Sequence, residues 1–131
     1  MKVLEEATVS LKSGVENDSR GHPGERQVTV LSRELWEEAC AQLGVKLPWT
    51  TRRANLLIEG ISLIDTTGYR LHVGDVVLEI TGETIPCKHM DQAFQGLKDA
   101  LTPSWRAGVT CKVIKEGRIC VGNQVTINYS V

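Results

Sequence analysis

Short apolar segments separated by glycine-containing turns most restrict the fold that this 131-residue chain can adopt. Apolar and β-branched residues predict strands at residues 3–11, 28–31, 56–59, 70–73, 76–80, 109–114, 119–121 and 125–127. Glu116-Gly117 predicts a hairpin turn between two of these strands. Residues 13–25 are rich in glycine and small polar residues and predict a long irregular loop. Many short strands favour a β-barrel over alternating strands and helices.

Two segments have the pattern of helices. Ser32 is the predicted N-cap of the first, and Gly44 predicts its end. Between them, apolar residues recur at helical spacing: Leu35, Trp36, Ala39, Cys40 and Leu43. Residues 91–101 predict a second helix, which Gly96 weakens and Pro103 ends. We therefore expect residues 1–131 to form a single mostly-β domain, a β-barrel with about two helices.

The charge balance argues against a generic polyanion partner. Lysine and arginine total 15 and aspartate and glutamate total 16, so the formal net charge is -1. Such a chain has no overall basic field, and neither nucleic-acid nor membrane binding is expected. The N-terminus carries two acids where a signal peptide is apolar, and no uncharged run reaches the ~18 residues that span a bilayer. We expect a cytoplasmic protein with free thiols.

One of the four cysteines is placed for chemistry. Cys87 follows Pro86 and precedes Lys88 and His89, in a break between a predicted strand and a predicted helix. Basic neighbours favour the thiolate, which is the form needed for nucleophilic sulfur transfer or for metal ligation. The alternative is an ordinary loop cysteine. The other cysteines are expected to be packing residues: Cys40, Cys111 and Cys120.

Basic side chains gather at several points that could bind an anion. Arg52 and Arg53 precede Asn55, Arg106 lies in a later loop, and Arg20 lies in the first loop. Arginine presents a planar fork of donors that suits phosphate and other oxyanions. Each cluster by itself is a weak signal, and a solvated loop explains the Arg52-Arg53 pair better.

Several common functional motifs are absent from the sequence. Cys87 and His89 have C-x-H spacing, but no CxxC or HxxxH pair accompanies them, which disfavours a structural zinc site. The phosphate-loop, dinucleotide, nucleophile-elbow and HExxH patterns do not occur.

Four ordered segments resemble the MOSC domain, which occurs at the C-terminus of molybdenum-cofactor sulfurases and in small stand-alone bacterial proteins. They are GVENDSRGHPGERQVTVLS at residues 14–32, RRANLLIEGISL at 52–63, GDVVLEITGETIPC at 74–87 and WRAGVTCKVIKEGRICVGNQV at 105–125. The resemblance implies a β-rich barrel and a molybdenum cofactor (molybdopterin). It also implies that Cys87 carries a persulfide or ligates molybdenum.

The resemblance also implies a set of cofactor-binding residues. Arg53 and Asn55 would lie near the cofactor's phosphate and pterin, and Arg106 would act with Gly108. The remaining polar residues assigned to the site are Asp18, Arg20, Gln27 and His89. Because the pyridoxal-phosphate desulfurase domain of the eukaryotic sulfurases has no counterpart here, we expect no pyridoxal phosphate. Sulfur or electrons would come from a separate partner.

Three functions remain open at this point. The first is a molybdenum-cofactor-binding sulfur carrier, with a cysteine desulfurase as donor and a molybdoenzyme as acceptor. The second is a molybdenum-dependent reductase of N-hydroxylated compounds, with Cys87 as metal ligand and a separate electron-donor protein. The third is a non-catalytic β-barrel binding module. The reactivity of Cys87 distinguishes the first two from the third.

Overall fold

A computed structural model of the chain describes residues 6–12, 14–15, 27–52 and 54–129. This part contains nine strands and three α-helices. The strands are β1 Glu6–Ser10, β2 Gly14–Val15, β3 Val28–Ser32, β4 Leu56–Ile58, β5 Tyr69–Val73, β6 Val76–Glu83, β7 Val109–Lys115, β8 Gly117–Cys120 and β9 Val125–Tyr129. The helices are α1 Arg33–Leu43, α2 Lys88–Ala93 and α3 Leu97–Leu101, with 3₁₀ turns at Trp49–Arg52 and Pro103–Trp105.

The strands form two sheets. A curled six-stranded sheet, half of a barrel, has the order β4-β3-β7-β6-β5-β9, and a three-stranded sheet has the order β2-β1-β8. The β3–β4 pair is parallel, and the other pairs are antiparallel. The expectation of a mostly-β, barrel-like fold is therefore confirmed. None of the helices in the described residues is long and apolar enough to cross a membrane.

The main core lies between the two sheets. Several of its fully buried members come from the large sheet: Val28, Val30, Leu71, Leu78 and Val109. Ala7, Val9 and Ile119 of the small sheet close the other side of this core. Burial of each such aliphatic side chain stabilises the folded state by about 1.5–3 kcal/mol. A second cluster joins the three helices to Leu31 and Ala107 at one end of the large sheet.

Helix α1 begins and ends where the sequence predicts. The Leu35 amide donates to Ser32 Oγ at 3.3 Å, which makes Ser32 the N-cap. Gly44 adopts φ 72°, and its amide donates to the Ala41 carbonyl at 3.1 Å. The side chains of Trp36 and Ala39 are buried against the sheet.

The prediction of one helix over residues 91–101 is wrong. Gly96 adopts φ 91°, a left-handed conformation that cannot continue an α-helix, and it separates α2 from α3. Helix α2 begins at Lys88, immediately after Cys87. Because of the break at Gly96, a separate short helix directly follows Cys87.

The predicted hairpin at Glu116-Gly117 is also wrong. Strand β8 pairs with β1 of the other sheet, where Ile119 lies opposite Ala7. Glu116 marks the crossing between sheets, and its Oε1 accepts a hydrogen bond from the Leu11 amide at 2.8 Å. Cys111 and Cys120 consequently lie in different sheets. Within the predicted loop over residues 13–25, Gly14–Val15 forms β2, and the other positions lie outside the described residues.

Candidate functional site

The turn at residues 106–108 carries Arg106 and is joined to the end of β6 and to the segment that contains Arg52. Gly108 adopts φ 91°, and a Cβ on it would lie 2.2 Å from the Val30 carbonyl oxygen. Only glycine permits that approach of β3 to the start of β7. The Thr84 amide donates to the Gly108 carbonyl at 2.9 Å, which joins the end of β6 to the same turn.

Helices α1 and α3 hold the side chain of Arg106. Its Nη1 donates to Gln42 Oε1 at 2.6 Å and to the Ala100 carbonyl at 3.1 Å. Its Nε is buried and has no hydrogen-bond partner among the described residues. A buried donor without a partner is costly, which makes this N–H a candidate contact for a ligand.

Arg52 secures the other side of the turn. Its Nε and Nη2 both donate to the Ala107 carbonyl, at 3.2 and 3.0 Å. The sequence marks Arg52 and Arg53 as one basic cluster, and the family resemblance singles out Arg53, which lies outside the described residues. The structural role of Arg52 has no signal in the sequence beyond the Arg-Arg pair itself.

Asn55 begins a row of polar side chains across the large sheet. Its Oδ1 accepts hydrogen bonds from the Thr29 amide at 2.9 Å and the Thr29 hydroxyl at 3.2 Å. Thr29 of β3 lies opposite Thr110 of β7. The Thr110 hydroxyl lies 2.8 Å from that of Thr81 on β6. Polar groups thus extend from Asn55, just before β4, across β3, β7 and β6 on the face opposite the main core.

Cys87 is exposed, three residues after Thr84, whose Oγ1 is buried without a partner among the described residues. The Sγ of Cys87 lies 3.5 Å from His89 Nδ1 and makes no capping hydrogen bond to α2. The structure therefore brings Cys87 and His89 into contact.

The other thiols have different environments. Cys111 is fully buried, and burial raises the pKa of its thiol from 9.0 to about 12. Cys40 is buried, with Sγ 4.0 Å from the Leu47 carbonyl oxygen. The prediction of a packing role is confirmed for Cys40 and Cys111, but it is wrong for Cys120, which is exposed.

Gln27 is buried between the two sheets. Its Nε2 donates to the Leu11 carbonyl at 2.6 Å, and its Oε1 accepts from the Val113 amide at 2.9 Å. A contact between Gln27 and a cofactor remains a prediction. The other first-loop residues assigned to the site, Asp18 and Arg20, lie outside the described residues. Among the described side chains, no group of three or more His, Cys, Asp and Glu is placed to hold a metal ion.

Solved structures with the same fold include three bacterial proteins. The YuaD protein of Bacillus subtilis has a TM-score of 0.83 and 19% identity, and the match covers 99% of this chain and 88% of that one. YiiM of Geobacillus stearothermophilus has a TM-score of 0.78 and 16% identity, with 96% and 62% of the two chains covered. YiiM of Escherichia coli has a TM-score of 0.75 and 15% identity, with 100% and 66% covered. The chain thus spans less than two thirds of the length of either YiiM protein.

The family assignment depends on the sequence. No curated protein matches it. The MOSC domain family matches residues 14–126, which include Cys87, Arg106 and Gly108. Because this match spans most of the 131 residues, the chain belongs to the MOSC domain family, which is associated with the molybdenum cofactor.

Proposed function

We propose that the chain is a sulfur carrier that binds the molybdenum cofactor and delivers sulfur from a persulfide on Cys87. One observation carries this proposal. Exposed Cys87 follows closely after Thr84, which is hydrogen-bonded to the turn where Arg106 is held. An exposed thiol and a buried arginine nitrogen thus belong to neighbouring segments, which supports the proposal of a single site for sulfur transfer and anion binding.

The residues present fit a phosphorylated pterin. The buried Arg106 Nε and Thr84 Oγ1 have no partners among the described residues, so both can donate hydrogen bonds to a ligand. The guanidinium of Arg106 suits a phosphate, and hydroxyls suit the nitrogen and oxygen atoms of a pterin. We also propose cofactor contacts for the remaining residues of the family pattern: Asp18, Arg20, Gln27, Arg53 and Asn55. When bound, the cofactor would supply a molybdenum centre that can take sulfur.

The exposure of Cys87 favours a carrier. A sulfur carrier must present its thiol first to a donor protein and then to an acceptor, so that thiol has to be accessible. Cys87 meets this requirement, whereas Cys40 and Cys111 are buried. The proposed donor is a separate cysteine desulfurase, and the proposed acceptor is a molybdoenzyme.

The test is a mass spectrum of the intact protein after anaerobic incubation with a cysteine desulfurase and cysteine. We expect one added sulfur atom, located at Cys87 by peptide mapping and absent from Cys87→Ser. Cys120→Ser is the matched control, because Cys120 is the other exposed thiol in the described residues. An unmodified wild-type protein, or sulfur spread equally over Cys87 and Cys120, would contradict the carrier function.

A metal analysis of anaerobically purified protein distinguishes the carrier from a reductase. For a carrier, any bound molybdenum should be retained in Cys87→Ser, since the other residues of the site hold the cofactor. Stoichiometric molybdenum that is lost in Cys87→Ser would instead indicate direct ligation of the metal by the thiolate.

A further inference from the structure

We propose that the strained backbone of Ser104 and Trp105 positions Arg106 to bind a phosphate group. Both residues adopt the left-handed conformation, with φ 57° at Ser104 and φ 61° at Trp105. That conformation is uncommon for residues with a Cβ, and it is an outlier for a bulky residue such as tryptophan. The role of Arg106 as a phosphate ligand rests on the proposed function, whereas the strain of the turn is a property of the backbone.

Two left-handed residues in succession are unfavourable unless the surrounding structure holds them. Asp65 is the only other non-glycine residue with positive φ among the described residues, and aspartate tolerates this conformation better than serine or tryptophan. A glycine at position 104 would adopt the same conformation without a steric penalty. Strained residues of this kind are concentrated at ligand-binding sites. The strained pair directly before Arg106 therefore indicates a function for this turn.

Hydrogen bonds on both sides hold the strained turn. The Arg106 amide donates to the Pro103 carbonyl at 3.2 Å, and the Gly108 amide donates to the Trp105 carbonyl at 3.0 Å. The Trp105 side chain is partly buried and packs against the main core. Because the backbone is fixed directly before and after Arg106, its side chain leaves the turn from a fixed point.

The guanidinium of Arg106 is restricted as well. Its Nη1 donates to Gln42 of α1 and to the Ala100 carbonyl of α3. Its Nε is buried and has no hydrogen-bond partner among the described residues. A more mobile arginine would turn this N–H towards water or a carbonyl, because a buried donor without a partner is unfavourable. The turn and the two helices together keep Nε in a place where a phosphate oxygen can accept its hydrogen bond.

Strain and an unpaired donor lower the stability of the folded chain but favour phosphate binding. A guanidinium that is already in position loses little conformational entropy when a phosphate binds. A flexible turn would have to be ordered during binding, which lowers the affinity. We therefore expect a substitution that relaxes the turn to weaken phosphate binding without lowering the stability of the protein.

The test compares Ser104→Gly with Ser104→Ala in the full chain. Ser104 is exposed; glycine removes its Cβ and its hydroxyl, whereas alanine removes the hydroxyl and keeps the restricted backbone. Binding of inorganic phosphate is measured by calorimetric titration, with Arg106→Gln to identify the heat that belongs to this site. We expect Ser104→Gly to bind phosphate about fivefold more weakly than wild type. Ser104→Ala should bind it with the wild-type affinity.

Thermal unfolding followed by circular dichroism supplies the second measurement. The melting temperature of Ser104→Gly should be unchanged or higher by up to about 4 °C, because relief of the left-handed conformation offsets the added freedom of the unfolded chain. Asp65→Gly is the matched control, since Asp65 is exposed, has φ 57° and lies in the connection between β4 and β5. It should leave phosphate affinity unchanged.

Four results would overturn the role of the turn. They are an unchanged phosphate affinity in Ser104→Gly, an equal loss of affinity in Ser104→Ala or Asp65→Gly, a loss accompanied by a lower melting temperature, and no phosphate binding by wild type. The carrier function is judged separately, by sulfur loading of Cys87. If wild type accepts no sulfur but Ser104→Gly still binds phosphate more weakly, the carrier function fails and the role of the turn stands.

Discussion

The guanidinium of Arg52 donates two hydrogen bonds to the Ala107 carbonyl oxygen, from Nε at 3.2 Å and from Nη2 at 3.0 Å. This fork joins the segment that leads to Asn55 with the turn that carries Arg106 and Gly108. Two parts of the site that are far apart in sequence are thereby held in a fixed relation. A lysine has a single cationic nitrogen and cannot supply two donors in the same plane.

Arg52→Lys should therefore lower both stability and cofactor binding. Loss of a charge-assisted hydrogen bond to a carbonyl costs about 1–2 kcal/mol, and loosening of the turn should reduce molybdenum loading of the purified protein. Urea unfolding and metal analysis measure the two effects. Arg33→Lys is the control, because Arg33 forms exposed ion pairs with Glu37 and Glu59 that contribute little. Equal stability of the two variants would contradict the importance of the fork.

Gly108→Ala should be far more damaging than another glycine substitution at similar φ. The new Cβ would lie 2.2 Å from the Val30 carbonyl oxygen, whereas a Cβ at Gly122, with φ 95°, would meet nothing within 4 Å. Both changes incur the left-handed backbone cost of about 1 kcal/mol. Only Gly108→Ala must also separate β3 from β7, so we expect at least about 3 kcal/mol of destabilisation. Urea unfolding of the two variants side by side tests this difference, and equal losses would show that the turn can relax.

The local signals of the sequence were sufficient for helix α1 and for most strands. Ser32 and Gly44 act through short-range hydrogen bonds and backbone conformation, which nearby residues determine. Cys87 could be singled out because its neighbours in sequence, above all His89, are also its neighbours in space. The association of the polar residues with a cofactor came from the family resemblance.

Features that depend on distant partners could not be predicted. Glu116-Gly117 has the composition of a hairpin turn, but β8 pairs with β1 because the curled sheet closes against a second sheet. Thr29 and Thr110 read as ordinary strand residues, and only the strand register places them side by side. Because the sequence predicts one hairpin that contains both Cys111 and Cys120, it does not indicate that Cys111 is buried and Cys120 exposed.

Gln27→Met should lower the free energy of unfolding, because Gln27 links Leu11, next to β1 of the small sheet, to Val113 of the large sheet. The substitution keeps the length of the side chain but removes the acceptor of the Val113 amide and the donor to the Leu11 carbonyl. Leaving a buried amide unpaired costs about 1–3 kcal/mol. Chemical denaturation measures the loss, and Gln92→Met, at an exposed position of α2, should change stability by less than about 0.5 kcal/mol. A Gln27→Met protein as stable as wild type would show that the two backbone groups find other partners.

Cys111 should make the protein less stable in alkali. Burial raises the pKa of its thiol from 9.0 to about 12, so below about pH 9 the thiol is protonated in both the folded and the unfolded chain. Between these values the unfolded chain releases the proton and the folded chain retains it, which favours unfolding as the pH rises. The loss attributable to Cys111 should approach about 1 kcal/mol per pH unit within that window.

Cys111→Ala isolates this contribution. It should cost about 1–2 kcal/mol at neutral pH, because it leaves a small cavity in the core, yet lose less stability than wild type between about pH 8 and about pH 10. Urea unfolding at both pH values gives the comparison. Cys120→Ala should follow wild type, since Cys120 is exposed and its thiol meets solvent in both states. Parallel pH dependence of wild type and Cys111→Ala would mean that the folded core admits the thiolate.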